Sequence, residues 1–323
     1  MTIQRVLVLA VWFLLIAILP ATAHAAELRG SWTATPQEDG VINWQFVRPH
    51  NQHGHSMPLN EFTGLTESQI ASATQTPVQF ELRRDAGVLS MEGVFRNREG
   101  AGHFLFRPNA RYFDQLQSLG VTLDRDERRD EDSLFTLAMT DVSPEFIRSM
   151  QAAGYRGSLD QYVSMRIFRV TPQLLDELRS LGYGNLDFDD LIASRVHRVT
   201  PEYIRQMRAA GYPKLSMDDL VATRIHKATP DFLGKMKDLG YNLAIDDAVA
   251  FRIHRVTPEL IGDLRDLGYT NVAADDLVAM RIHRVTPEYI RELKNVGYSG
   301  IPVSKLIEMR IHGIDAKYIT KVK

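Results

Sequence analysis

The sequence contains no cysteine among its 323 residues. A chain without thiols forms no disulfide framework, supplies no thiolate to a metal ion and has no cysteine nucleophile or lipidation site. Packing alone must therefore stabilise the fold. With 44% hydrophobic residues, the chain has enough apolar side chains for one or two cores.

The sequence also lacks the short motifs of common hydrolases and nucleotide-binding enzymes. It has no His-Glu-x-x-His zinc-protease motif, no Gly-x-Ser-x-Gly elbow and no glycine-rich phosphate loop with lysine. The formal net charge is -2, whereas proteins that bind nucleic acid usually carry a basic excess. We therefore expect no enzymatic activity, no cofactor and no nucleic-acid partner.

Residues 1–25 are typical of a secretory signal peptide. Arg5 precedes an apolar run from Val6 to Leu19, and residues 23–25 read Ala-His-Ala, a small-x-small cleavage site. The run is shorter than the ~20 residues that span a bilayer, which favours cleavage, with an uncleaved anchor as the alternative. We expect the mature chain to be periplasmic, in a Gram-negative envelope, or secreted, with no membrane span.

Residues 26–107 differ in pattern from the rest of the chain. Segments such as 41–47 and 88–95 alternate apolar with polar residues and are rich in valine and aromatic residues, as in half-buried antiparallel strands. Turn-forming residues at 85–87 and 97–102 separate consecutive strands. The pattern predicts a small antiparallel β-sandwich or open barrel.

The C-terminal part of the chain, residues 144–323, is a tandem repeat. A proline and a Gly-Tyr pair each recur with steps of 28, 29, 29, 28 and 29 residues. Two markers that keep one period over about 150 residues indicate a repeat architecture, in which each unit buries its apolar face against its neighbours. We predict an α-solenoid of six helical hairpins, and so an α+β fold class for the whole chain. The prolines are Pro144, Pro172, Pro201, Pro230, Pro258 and Pro287.

Each hairpin carries capping residues for its first helix. A threonine before the proline is a natural N-cap, and the proline suits the first turn, where no amide donor is needed. The glycine of the Gly-Tyr pair supplies the left-handed residue that ends the helix. The predicted caps are Thr171, Thr200, Thr229, Thr257 and Thr286, and Gly182, Gly211, Gly240, Gly268 and Gly297.

An arginine recurs inside the otherwise apolar second helix of every hairpin. Such an arginine is costly unless its donors are satisfied. We predict that each guanidinium bonds carbonyl oxygens or an aspartate across the join between repeats, as a staple, with anion recognition along a groove as the alternative. The arginines are Arg166, Arg195, Arg224, Arg252, Arg281 and Arg310, and the nearby aspartates include Asp190, Asp219, Asp247 and Asp276.

A histidine follows this arginine in five of the hairpins. Equivalent side chains in stacked hairpins lie about 10 Å apart, too far to share a metal ion with imidazole bonds of about 2 Å. We predict that they cap helix C-termini, with a metal-binding or pH-sensing ladder as the alternative. The histidines are His197, His226, His254, His283 and His312.

Three further histidines, His50, His53 and His55, fall within six residues of the β region. Histidines this close together can ligate zinc or copper. A polar loop without a metal is the alternative.

Residues 108–143 lie between the two regions. Segments 109–120 and 133–139 resemble degraded copies of the first and second helices of a hairpin, which predicts a capping half-repeat. The charged run 124–132 is inserted within it. Its mixed signs favour a solvated loop or helix extension, with a docking surface as the alternative.

The arrangement of these motifs resembles that of a known family. A β domain with Arg84-Asp-Ala-Gly-Val-Leu-Ser-Met-Glu-Gly-Val-Phe95 precedes hairpins of the form Leu-Val-Ala-Met-Arg-Ile-His-Arg-Val-Thr-Pro-Glu-Tyr-Ile-Arg. This order resembles an extracytoplasmic region of some bacterial antirepressor metallopeptidases of the β-lactam-sensor type, and of related exported repeat proteins. The resemblance covers nearly the whole mature chain. Because the peptidase motif and membrane helices of those sensors are missing, it implies a sensing or interaction module and transfers no catalytic residue.

We therefore expect a non-enzymatic periplasmic scaffold that binds an unidentified protein or peptide of the cell envelope, in sensing or signalling. Solenoids usually serve to hold a protein or peptide. The alternative function is a small-ligand or metal-binding protein that uses the His50, His53 and His55 segment or the repeated arginine row.

Overall fold

The structure, a computed structural model, describes residues 27–37, 40–48, 51–123 and 130–322. The chain divides into two compact units. The first contains the described residues up to 118 and residues 130–143, and the second contains residues 119–123 and 144–322. The predicted signal peptide lies outside the described residues. Within the described ranges, no helix has the length and apolar character needed to cross a membrane.

Seven antiparallel strands of the described residues form a single sheet in the first unit, in the order β3-β2-β1-β7-β6-β5-β4. A short helix, α1 (Glu67–Ile70), precedes β5. Because there is one sheet, the open barrel is the correct alternative of the two predicted, and the α+β class is confirmed. The strands are β1 (Leu28–Pro36), β2 (Val41–Arg48), β3 (Asn51–Pro58), β4 (Phe62–Thr63), β5 (Thr76–Arg84), β6 (Gly87–Arg96) and β7 (Glu99–Pro108).

The sheet is curled around an aromatic core. Trp44 of β2 and Phe80 of β5 are four strands apart in the sheet, which would separate them by about 19 Å if the sheet were flat. Their ring centroids are only 5.5 Å apart. The strands must therefore bend toward each other, and they enclose Trp44, Phe80 and Trp32 within a half-barrel.

A pair of glycines permits the close approach of three strands. Gly93 of β6 lies opposite Gly102 of β7, which in turn lies opposite Trp32 of β1. The Trp32 indole Nε1 donates hydrogen bonds to the carbonyl oxygens of Glu92 and His103, at 3.2 and 3.0 Å. A Cβ atom at either glycine would overlap the backbone of the neighbouring strand. The strands can approach this closely only because both positions lack a side chain.

Helices α2 (Tyr112–Ser118) and α3 (Glu131–Thr140) belong to the same unit as the sheet. Phe135 of α3 packs on Phe46 and Phe104, with ring centroids 6.0 and 5.5 Å apart. The second helix of the segment predicted to be a capping half-repeat thus packs on the core of the sheet. Most of the charged run inserted between them, residues 124–129, lies outside the described residues.

The described part of the second unit consists of six helical hairpins and a final helix. The first helices are α4 (Pro144–Ala152), α6 (Pro172–Ser180), α8 (Pro201–Ala209), α10 (Pro230–Asp238), α12 (Pro258–Asp266) and α14 (Pro287–Asn295), followed by α16 (Ala316–Val322). The second helices are α5 (Leu159–Ile167), α7 (Phe188–Val196), α9 (Met217–His226), α11 (Ile245–Ile253), α13 (Ala274–Ile282) and α15 (Val303–Ile311).

The boundaries of the first helices follow from their capping residues. The side chain of Thr200 accepts a hydrogen bond from the amide of Tyr203, and the threonines before α6, α10, α12 and α14 make the same contact. The glycine after each of these five helices has a φ between 84° and 105°. Capping residues that can be recognised in the sequence therefore determine where these first helices begin and end.

We expect a methyl group at Gly102 to destabilise the first unit by about 1–3 kcal/mol or more, because it would overlap the Glu92 carbonyl oxygen. Trp32 and Trp44 are the only tryptophans after residue 26, so their fluorescence reports on the sheet alone. Gly102→Ala should lower the unfolding midpoint seen by tryptophan emission. Gly54→Ala is the control, because its Cβ would meet only the flexible Gln45 side chain. Equal midpoints for the two variants would contradict this account.

Candidate functional site

The repeated arginines of the second helices connect consecutive hairpins. In four joins the arginine Nε donates a hydrogen bond to a carbonyl oxygen at the end of the preceding second helix, where helical geometry leaves carbonyls unpaired. The acceptors are main-chain oxygens and not the aspartates that were the other predicted acceptors. The pairs are Arg195–Phe168, Arg224–His197, Arg252–His226 and Arg281–His254, at 2.8, 3.1, 3.4 and 3.1 Å.

Two of these four guanidinium groups also stack on an aromatic ring of the first helix in their own hairpin. Arg224 lies 4.8 Å above the ring of Tyr203, and Arg252 lies 4.9 Å above the ring of Phe232. Arg166 and Arg310, at the two ends of the series, stack in the same way on Phe146 and Tyr289. Partly buried cation–π contacts stabilise by about 0.5–2 kcal/mol. The arginine row is thus occupied by structural contacts within the array.

A tyrosine series connects the hairpins at a second point. The hydroxyl of each of the first five Gly-Tyr tyrosines donates to a carbonyl oxygen just before the second helix of the next hairpin, at 2.7–3.0 Å. Sequence reasoning treated these tyrosines only as markers of the period. Their recurrence could have indicated a structural role. The sequence does not show, however, that each hydroxyl bonds a carbonyl oxygen 31 or 32 residues later. The pairs are Tyr155–Leu186, Tyr183–Leu215, Tyr212–Leu243, Tyr241–Val272 and Tyr269–Ile301.

The histidine series occupies helix ends, but the residue after each histidine makes the turn. His197, His254, His283 and His312 are the C-cap residues of their helices, and His226 is the last residue of α9. The residue after the histidine, or after Phe168 in the first hairpin, takes the left-handed conformation. In five hairpins this residue is basic, with φ between 54° and 59°, and in the last it is Gly313, with φ 68°. The basic residues are Arg169, Arg198, Lys227, Arg255 and Arg284, and we call them the basic row.

The basic row occupies a conformation that suits glycine better. A left-handed residue with a side chain costs roughly 1–2 kcal/mol, whereas glycine avoids that penalty. A cation near a helix C-terminus recovers only about 0.3–1 kcal/mol. Local backbone energetics therefore give no reason to prefer a basic residue over the glycine found at position 313.

The second helices leave one side to solvent, and that side is largely apolar. In α7 it consists of Asp189, Ile192, Ala193, Val196 and His197, whose spacing places them along one side of a helix. The same pattern recurs in the other second helices, and we call the whole surface the second-helix face. Its most exposed apolar residues are 48–58% accessible, namely Ile167, Val196, Ile225, Ile253, Ile282 and Ile311.

Grooves lie between neighbouring second helices on this face. One of about 390 Å³ separates α5 from α7, and one of about 240 Å³ separates α11 from α13. Exposed aspartates border the face at the helix N-termini, and the exposed basic row borders it at the C-termini. The face is therefore an apolar strip between an acidic edge and a basic edge. The aspartates are Asp160, Asp189, Asp218, Asp246 and Asp275.

In the first unit, His53 and His55 lie on strand β3 and not in a polar loop. Their ring centroids are 6.3 Å apart, while His50 is outside the described residues. The His53 Nε2 lies 3.2 Å from a guanidinium nitrogen of Arg48, which also pairs with Asp132. Burial and the Arg48 charge lower the pKa of His53, and burial and His53 lower the pKa of His55. No cluster of three or more metal-ligating side chains is found among the residues that the structure describes.

The outer side of the sheet carries an open groove of about 950 Å³. Arg29, Glu81, Glu92 and His103 line it, and Glu92 faces His103 across β6 and β7. Glu81 accepts a hydrogen bond from the Ser90 hydroxyl at 3.2 Å. Charged and apolar side chains are mixed on this surface.

The fold and these surfaces define a helical-hairpin repeat protein with a curled β-sheet unit. Comparison with protein-family models, curated proteins and solved structures found no match to this chain.

Replacing Arg224 with methionine should lower the stability of the array by about 1–3 kcal/mol, because a charged hydrogen bond and an aromatic contact are lost. Arg205→Met is the matched control. Arg205 is exposed and makes only surface ion pairs, which are worth about 0–1 kcal/mol. Thermal unfolding followed by far-ultraviolet circular dichroism measures both variants. An unchanged melting temperature for Arg224→Met would contradict the staple role.

Tyr212→Phe should cost about 1 kcal/mol at neutral pH, because the carbonyl of Leu243 loses its donor. Burial raises the folded-state pKa of Tyr212 above its ordinary value of 10.0. The native state therefore holds this proton more tightly, and its contribution to stability is lost as pH rises above 10 through the folded pKa. The difference in the free energy of unfolding between the parent and Tyr212→Phe should therefore become smaller in that pH range.

Tyr318→Phe is the control for this experiment, because Tyr318 is exposed. Urea unfolding at pH 7 and at alkaline pH gives the difference in the free energy of unfolding between parent and variant at each pH. A gap that widens with pH would show the opposite sign of proton linkage and would contradict the assignment.

Proposed function

We propose that this protein is a non-enzymatic scaffold that holds a protein or peptide along the second-helix face. The observation that carries the proposal is the row of half-exposed isoleucine and valine residues, one in every hairpin. About half of each of these side chains is accessible to solvent, so the array itself leaves this apolar surface uncovered. Soluble monomers rarely expose a contiguous apolar patch without a binding role.

The energetics of covering this surface are favourable. Covering the exposed half of one isoleucine is worth on the order of 1 kcal/mol. Six such residues, together with the grooves between helices, could supply several kcal/mol toward binding. Repeated hairpins also keep the row in register over the length of the array, because each hairpin is fixed to the next by an arginine or tyrosine contact.

The cell envelope is the proposed setting. The predicted signal peptide supports export, and the resemblance to an extracytoplasmic region of β-lactam-sensor-type metallopeptidases supports a role in sensing or signalling. The proposed partner is an envelope protein or peptide.

A metal-binding role is the second candidate, favoured by the stacked rings of His53 and His55 on β3. The Arg48 cation beside His53 disfavours a divalent ion at that nitrogen. Calorimetric titration of the mature chain with zinc and copper, before and after replacing His50, His53 and His55 with alanine, separates the two functions. Binding that the substitutions abolish would support the metal site.

The scaffold proposal is tested by placing charges on the face. Ile225→Glu combined with Ile253→Glu should abolish capture of envelope proteins by the mature chain in a pull-down, because carboxylates would be buried against the partner. The fold should persist, since both side chains are exposed. Circular dichroism checks this.

Gln173→Glu combined with Gln206→Glu is the matched control. These residues are exposed on the first helices α6 and α8, and the pair adds the same charge. If both double variants capture the same proteins as the parent, the second-helix face is not the binding surface.

A further inference from the structure

The basic row beside the apolar strip consists of cations without a partner in the structure. Among the described residues, no ion pair or side-chain hydrogen bond joins any of the five to a neighbour. The exposed cations of the first helices are mixed in the described part of the array, since Arg148 and Lys237 also have no ion pair whereas others do. Arg205, Lys235 and Arg291 all form ion pairs within the array. The charges of the basic row are therefore free to meet carboxylates from another molecule.

The backbone gives a second reason to assign these cations to binding. Each one is held in the left-handed region, where Gly313 stands in the equivalent turn of the last hairpin. Residues kept in a costly conformation often mark functional positions. Because glycine would satisfy the turn, the basic side chain itself must account for the residue found there.

The two edges of the face restrict what can lie on it. An anionic ligand is attracted to the basic row and repelled by the exposed aspartates on the opposite edge. A flat anionic surface such as a membrane would meet both edges at once. A narrow ligand can lie against the basic row alone, with apolar groups over the isoleucines.

The spacing of the row fits an extended chain. Consecutive hairpins place equivalent residues about 10 Å apart. A polyproline II chain advances about 9 Å in three residues, and every third side chain points the same way. Carboxylates at every third position would therefore meet successive cations of the row.

We propose that the occupant of the second-helix face is an extended acidic peptide segment. One carboxylate in each triplet pairs with the basic row, and a neighbouring apolar side chain covers the exposed isoleucine of the same hairpin. This inference rests on the proposed scaffold function and names the chemistry of its partner.

The test uses the mature chain and a fluorescent peptide of about six Pro-Leu-Glu triplets, one for each turn of the array. Matched peptides carry Gln or Lys in place of Glu. Fluorescence anisotropy should show that the Glu peptide binds at least about tenfold more tightly than the Gln peptide, with affinity that falls as salt rises, and that the Lys peptide does not bind. Equal affinity for the Glu and Gln peptides would overturn the proposal.

A triple variant, Arg198→Gly, Lys227→Gly and Arg255→Gly, removes the row without disturbing the turns, since glycine suits their φ values. Its melting temperature should be unchanged or higher, while its affinity for the Glu peptide should fall by about tenfold or more. The control triple variant Arg148→Gln, Arg205→Gln and Lys237→Gln removes three exposed cations from first helices. Its affinity should stay within about twofold of the parent. Equal losses in both variants would overturn the proposal, because the effect would then be one of net charge.

Other occupants give distinct results. Binding to phosphatidylglycerol vesicles without binding to the Glu peptide would replace the peptide with a membrane. Self-association that the triple glycine variant abolishes, without peptide binding, would replace it with a second copy of the chain. If the peptide fails while Ile225→Glu with Ile253→Glu still abolishes capture of envelope proteins, the scaffold function stands and the acidic-peptide inference falls.

Discussion

The joint between consecutive hairpins is the constraint on which the repeat array depends. A hairpin of two nine-residue helices, such as α6 and α7, buries little on its own. At a complete join, such as that between the third and fourth hairpins, Arg252 and Tyr212 donate to main-chain carbonyl oxygens across the boundary. These bonds satisfy acceptors that helix ends leave open and fix one hairpin against the next. Regular spacing of the surface follows from this joint.

One short motif at the end of each second helix combines a stacking contact with an exposed surface. In Arg224-Ile-His-Lys227 the arginine turns inward to a carbonyl and an aromatic ring, while the next residue, Ile225, lies about 100° further around the helix and stays exposed. The lysine leaves the helix in a left-handed turn. Successive residues of a helix point in different directions. The arginine contact that repeats in the array is therefore accompanied by a repeated pattern of apolar and basic groups on the surface.

The first unit obeys a different constraint, which is the closure of a curled sheet on aromatic side chains. Trp32 and Trp44 fill its interior, and their edge-to-face contact has a centroid distance of 5.5 Å. The glycines at 93 and 102 let the strands come close enough to enclose them. Phe135 of α3 packs against this core through Phe104. Binding proposals for this protein rest on the array, and the described sheet residues supply a separate, independently packed core.

The sequence by itself determined the repeat, its period and the ends of its first helices, because caps such as Thr200 and Gly211 act through neighbouring backbone. It also indicated the strands, through alternation of polar and apolar residues. Only the tertiary structure decided that one sheet curls, that the Tyr212 hydroxyl bonds a carbonyl of the next hairpin, and that Ile225 is exposed beside a partly buried arginine. Some of these features depend on contacts between groups about 30 residues apart in the chain, and others on which side of a helix its neighbours leave uncovered. The local pattern of polar and apolar residues determines neither.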